Sequence, residues 1–208
     1  MKRYVLTGAP GAGKTSVLDA LRERGFPVVA EAATDVISDQ QARGIAEPWQ
    51  QDDFVDRIVA LQRDRLRPAP LGARGAARAQ AAEMHPAESH PAESHPAELP
   101  ATAELHDRSV LCTLALARFQ ERPETPLLAA EVARVVAAGV YERAVFFIRP
   151  LGFIVPTAAR RISYRESLDF ERLHEAAYLE HGFQLIEVGA ASVAERAAFI
   201  ADQIAARG

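Results

Sequence analysis

The sequence predicts an α/β protein with three layers, α/β/α, built on a central five-stranded parallel sheet. Three observations predict it. Short apolar runs, Tyr4–Leu6, Pro27–Ala30, Ala144–Ile148 and Phe183–Val188, alternate with longer segments of helical spacing. The first run passes straight into a glycine-rich turn and then a helix. The run Ala144-Val145-Phe146-Phe147-Ile148 is apolar at every position, as suits a strand covered on both faces by right-handed crossover helices.

The elements follow in order. Tyr4–Leu6 is a buried strand ending at Thr7. From Lys14 the apolar positions change period: Val17, Leu18 and Leu21 share one helix face until Gly25 stops it. Pro27–Ala30 is a second strand, closed by Glu31. A long helix is expected after Pro48, with Phe54, Val55, Ile58 and Leu61 as its buried stripe and its end near Pro68. A third strand precedes His106-Asp107-Arg108-Ser109, and a helix carrying Leu111, Leu114, Ala115, Leu116 and Phe119 follows. Further helices are expected over 126–138, from about Leu168 to His181, and from Val193 to Ala206.

Residues 68–102 differ in kind. They are rich in Ala, Pro, Arg and Glu, and contain the tandem units His85-Pro86-Ala87-Glu88-Ser89, His90-Pro91-Ala92-Glu93-Ser94 and His95-Pro96-Ala97-Glu98-Leu99. Proline at every fifth position removes backbone donors and excludes a regular helix, so the segment reads as a disordered insertion within a single domain spanning 1–208. Histidines at that spacing in flexible chain build no preorganised metal site.

Composition narrows the function. The net charge of -4 argues against nucleic acid as the main partner, because phosphate backbones are bound by clustered Lys and Arg. Cys112 is the sole cysteine, which excludes an internal disulfide and suits a reducing, cytoplasmic setting. The apolar run after Met1-Lys2-Arg3 is far too short for a signal peptide or a membrane span. A homodimer is left open on base rate alone.

The turn carries the chemistry. Gly8-Ala9-Pro10-Gly11-Ala12-Gly13-Lys14-Thr15, followed by Ser16, fits Gly-x-x-x-x-Gly-Lys-Thr between a strand and a helix. Such a loop turns its amides inward round phosphate oxygens, which demands glycine where a side chain would obstruct. The helix that follows aims its N-terminal dipole at the same anion. Lys14 would neutralise the β- and γ-phosphates and Thr15 would give a hydroxyl ligand to Mg²⁺. The fold expected is therefore that of a P-loop NTPase. The glycines do not read G-x-G-x-x-G, so a dinucleotide fold fits poorly.

With these residues in place a resemblance can be stated. Thr7 to Thr15, Glu31, and Asp107-Arg108-Ser109 resemble the small P-loop kinases, including deoxynucleoside and thymidylate kinases. The overall cadence is similar to the AAA_28 family, which includes proteins likened to nicotinamide riboside kinase. The likeness continues through 145–151, 160–166 and 178–183 to Arg196 and spares the His-Pro-Ala-Glu insertion. It implies that Glu31 orients or deprotonates an acceptor hydroxyl, that Asp107 supports Mg²⁺, and that Arg108 holds the acceptor or the carboxylate. It also implies a lid bearing Arg160, Arg161 and Arg165, with Arg160 and Arg165 as the lid arginines over the nucleotide. Gly189-Ala190-Ala191 would pass near the base. Trp49 and Phe54 are either acceptor-pocket or core aromatics.

Two functions fit these residues. One is an ATP-dependent transfer of the γ-phosphate to a hydroxyl or phosphate of a small molecule. The other is a nucleotide-dependent switch or binding protein with slow NTPase activity, which the AAA_28 likeness links to GTP. No Asn-Lys-x-Asp guanine-reading motif is present, which favours ATP over GTP.

Overall fold

A computed structural model describes residues 1–67, 103–149 and 163–207. The expected insertion over 68–102, and Arg160 and Arg161, lie outside the described residues. The sheet is formed by β1 (Lys2–Gly8), β2 (Val28–Val29), β3 (Ala103–Asp107), β4 (Ala144–Ile148) and β5 (Gln184–Val188). All neighbours are parallel, in the order β2-β3-β1-β4-β5. This is the α/β/α arrangement the sequence predicts.

Among the described residues seven helices cover the sheet: α1 (Lys14–Glu23), α2 (Ala32–Ala42), α3 (Phe54–Arg65), α4 (Val110–Phe119), α5 (Pro126–Ala137), α6 (Tyr164–Glu180) and α7 (Val193–Ala205). Strand side chains alternate between two cores. Tyr4, Leu6, Phe146 and Ile148 face α1 and α7, meeting Val17, Leu21, Ala197 and Ile200. Val5 and Val145 face the opposite layer, meeting Val59, Leu111, Leu114, Leu128 and Tyr178. Each such side chain contributes roughly 1.5–3 kcal/mol on full burial. Helix α4 is buried on nearly every side, which explains its run of apolar and small residues.

Three helix boundaries differ from the sequence expectation. Helix α2 was not anticipated: most of its residues are polar, and only Ala32, Val36 and Gln40 are buried. The helix expected directly after Pro48 is a single 3₁₀ turn, Pro48–Gln50. Gln51 is extended there, with φ -69° and ψ 141°, and α3 starts only at Phe54. The helix expected from Leu168 starts a turn earlier, at Tyr164, because Ser163 and Glu166 form a capping box. Arg165 therefore stands in the first turn of α6.

The strand order positions the site. β3 lies between β1 and β2, with Leu6 opposite Asp107 and Val29 opposite His106. The carboxyl ends of three adjacent strands thus deliver the loop after β1, Glu31 after β2, and Asp107-Arg108 at the end of β3 to one edge.

Candidate active site

The loop between β1 and α1 is dictated by close approach. Gly8 has φ 136°, and a Cβ there would lie 2.2 Å from the carbonyl oxygen of Ile148 on β4. Gly13, at φ 84°, is the left-handed residue that turns the loop into α1. Pro10, Gly11, Gly13, Lys14, Thr15 and Ser16 line a cavity of about 710 Å³, while Ala9 and Ala12 are fully buried behind it. The Lys14 ammonium donates to the carbonyls of Ala9 at 2.9 Å and Gly8 at 3.2 Å. Burial, and then the nearby charge of Arg108, push its pKa down to about 7, against the opposing pull of Asp107 and Glu31.

Beyond the loop the cavity meets Glu31, Asp107 and Arg108. Arg108 has φ 72°, an uncommon backbone conformation for a non-glycine residue, and its N–H donates to the Leu6 carbonyl at 3.0 Å. Its Nε lies 2.7 Å from Glu31 Oε1, and its Nη1 donates to His174 Nε2 at 2.8 Å. Glu31 Oε2 also accepts from the Thr34 hydroxyl at 3.0 Å. Burial would raise the Glu31 pKa, but Arg108, Lys14 and the Thr34 bond hold it below the usual range. Asp107 moves the other way. Its own burial, and then the Glu31 charge, raise its pKa.

The fit to a metal can be judged from the donor set. Among the described residues no group of three or more His, Cys, Asp and Glu could hold an ion by itself. Asp107 Oδ1 is buried without a hydrogen-bond partner, and the Thr15 hydroxyl shares its cavity. One hydroxyl and one unpartnered carboxylate oxygen suit Mg²⁺, which keeps several waters and completes its shell with phosphate oxygens.

The cavity is also lined by α2 through Ala33, Thr34, Ile37, Ser38 and Gln41, and by Glu47, Trp49 and Phe54. Leu116 and Phe119 from α4, Gln120 just after it and Phe170 from α6 complete the lining. Trp49 and Phe54 are thus both wall and core, since Phe54 also packs on Ala32, Val36 and Ile58. Phe170 stacks on Phe119 at 4.7 Å and on His174 at 4.3 Å between ring centroids. His174 is fully buried. Its Nδ1 donates to the Phe170 carbonyl at 2.8 Å, which leaves Nε2 as the acceptor for Arg108. Burial, and then the Arg108 charge, push its pKa well below 6.5, so the ring is neutral.

The remaining candidates stand elsewhere. Arg165 is exposed and does not line the cavity. The acidic residues near it on α6 are engaged elsewhere: Glu166 caps Ser163, Asp169 pairs with Arg172, and Glu171 with Arg149. Gly189-Ala190-Ala191 is exposed and outside the cavity. His106 is a satisfied core histidine, bonded to Glu104 at 2.7 Å and edge-on to Tyr141. Sequence reasoning missed the α2 wall, Gln120, Phe170 and His174. Only α2 had a local signal, the spacing of Ala32, Val36 and Gln40 ahead of Gly44.

The family model AAA_28, described as an AAA domain, matches residues 3–196. No curated protein matches the chain. Among solved structures, deoxyadenosine kinase from M. mycoides with products dCMP and a flexible dCDP bound superposes with a TM-score of 0.50 at 12% identity, covering 98% of this chain and 99% of that one. The same enzyme with bound dATP gives a TM-score of 0.45 at 15% identity, with 98% and 99% coverage. At such identity the first likeness bears on the fold alone.

Proposed function

This chain belongs to the AAA_28 family of AAA domains, and we propose that it is an ATP-dependent P-loop phosphotransferase that moves the γ-phosphate to a hydroxyl of a small molecule. The observation that carries the reading is the lining of one cavity. It brings Lys14 and Thr15 of the loop together with Glu31, Arg108 and the aromatic side chains of Trp49, Phe119 and Phe170. The loop suits a triphosphate, and the aromatic lining and the carboxylate suit a second molecule beside it.

The roles follow from the chemistry. The loop amides and the Lys14 ammonium bind the phosphates, and Lys14 exchanges its bonds to the Gly8 and Ala9 carbonyls for phosphate oxygens. Thr15 and Asp107 would hold Mg²⁺, which would supply charge neutralisation of the phosphates. Glu31 stays ionised beside Arg108 and accepts the acceptor's hydroxyl hydrogen, orienting the oxygen toward phosphorus. Arg108, held charged by Glu31 and Asp107 against its burial, fixes that carboxylate and presents its guanidinium to the transferring group. Arg160 and Arg165 are proposed to close over the nucleotide on binding. The acceptor has a flat apolar part for the aromatic wall and a donor for Gln120 Oε1, which is buried without a partner.

The test is acceptor-stimulated turnover. ATP consumption by the purified protein with Mg²⁺ is measured against a panel of hydroxylated metabolites, nucleosides included. A single class of acceptor should raise the rate well above basal hydrolysis. Basal hydrolysis unmoved by every small molecule, but raised by a macromolecule, would point to a switch instead.

A further inference from the structure

Arg196 of α7 is 3% exposed and sits directly behind the phosphate loop. Its Nη1 donates to the carbonyl of Ala12 at 2.9 Å, and a Cβ on Gly13 would come within 3.6 Å of the same nitrogen. Its other two nitrogens, Nε and Nη2, are buried without a hydrogen-bond partner. No carboxylate among the described residues pairs with it, and burial, unopposed by any nearby charge, lowers its pKa. Lys14 differs in this respect, since Asp107 and Glu31 both favour its charge.

An unpaired buried guanidinium is costly, because little local charge replaces its hydration. Its position is nonetheless firmly held. Ala197, Ile200 and Ile204 of the same helix pack in one cluster with Val17, Leu18 and Leu21 of α1. The arginine is thus fixed at the junction where the loop becomes the N-terminus of α1, outside the cavity lining, with positive charge lacking a counterpart among the described residues.

We infer that Arg196 belongs to the nucleotide site, bracing Ala12-Gly13 from behind and supplying a positive charge that only bound phosphate balances. The inference rests on the proposed reading of the loop as a triphosphate site. It makes Arg196 an electrostatic and positioning residue: it touches loop backbone, and acts on phosphate through the loop. Its cost in the free protein is the counterpart of its gain in the complex.

The experiment compares wild type, Arg196→Lys and Arg196→Gln in two measurements. These are the thermal midpoint without nucleotide and the calorimetric affinity for a non-hydrolysable ATP analogue with Mg²⁺. Gln removes the charge and keeps a neutral amide on a shorter side chain, whereas Lys keeps the charge and a donor at nearly the length of Arg. The expected result is a midpoint for Arg196→Gln equal to or above wild type, with affinity about tenfold weaker, while Arg196→Lys stays within about threefold of wild type. Equal affinities for Lys and Gln variants, or a collapse of the Arg196→Gln midpoint without nucleotide, would make Arg196 a structural brace only and overturn the inference. If wild type itself does not bind the analogue, the triphosphate reading fails and the inference with it. If wild type binds and the two variants bind alike, the inference alone falls.

Discussion

Arg108 Nη1 donates to His174 Nε2 across 2.8 Å, joining the end of β3 to the middle of α6. The ring's other nitrogen is committed to the Phe170 carbonyl, and Phe170 is itself part of the cavity wall. A neutral imidazole is required here, because a protonated ring would set two cations face to face. The guanidinium that pairs with Glu31 is therefore aimed by a residue 66 positions further along the chain.

His174→Phe should leave Arg108 with an unpaired donor and a freer side chain. The expected effect is a kcat about tenfold lower, with the KM for ATP changed less than threefold. His174→Gln, whose carbonyl oxygen can accept from Arg108, should recover most of the loss. Equal activity of the Phe and Gln variants, measured with both folded, would show that the bond positions nothing.

Glu31→Gln should keep ATP affinity and lower acceptor-dependent transfer by roughly 10²- to 10⁴-fold. The neutral amide cannot take the hydroxyl hydrogen, and it also frees Arg108 from its ion pair. Steady-state rates at saturating ATP, paired with direct nucleotide titration, separate the two effects. Transfer at the wild-type rate would remove Glu31 from the reaction.

Lys14 gives a pH signature. Its pKa is lowered to about 7 in the free protein, whereas a bound triphosphate favours the ammonium and raises it again. Below that value the lysine is already charged, and binding needs no proton. Above it, binding must take one up, so affinity falls as pH rises, by about tenfold between pH 8 and 9. Calorimetry in buffers of different ionisation enthalpy should show uptake of nearly one proton at pH 8.5. Lys14→Ala should largely abolish both the binding and its pH dependence, and a folded variant with unchanged affinity would defeat the assignment.

Gly8→Ala tests the loop's geometry without touching its charges. A Cβ 2.2 Å from the Ile148 carbonyl must push β1 from β4 in a conformation alanine rarely adopts. The expected cost is of order 3 kcal/mol, or roughly 6–12 °C in thermal midpoint for a chain of this size. A midpoint within 2 °C of wild type would show that the strand ends yield easily.

The sequence by itself determined the fold class and the phosphate loop, because both are written locally. Period-2 and period-3.6 apolar spacing needs no partner to be read, and the loop's glycines, lysine and threonine are contiguous. Helix starts are written locally too: α7 begins at Val193, as the sequence predicts, with Ser192 and Glu195 as its capping box, and Ser163 and Glu166 form the same local signal ahead of α6. Tertiary structure alone decided what stands opposite what. The order β2-β3-β1 carries Glu31 to Arg108, α6 brings His174 and Phe170 across from a distant segment, and α7 lays Arg196 behind Ala12. Those relations are set by which strands pair and which helices pack, so no stretch of neighbouring residues encodes them.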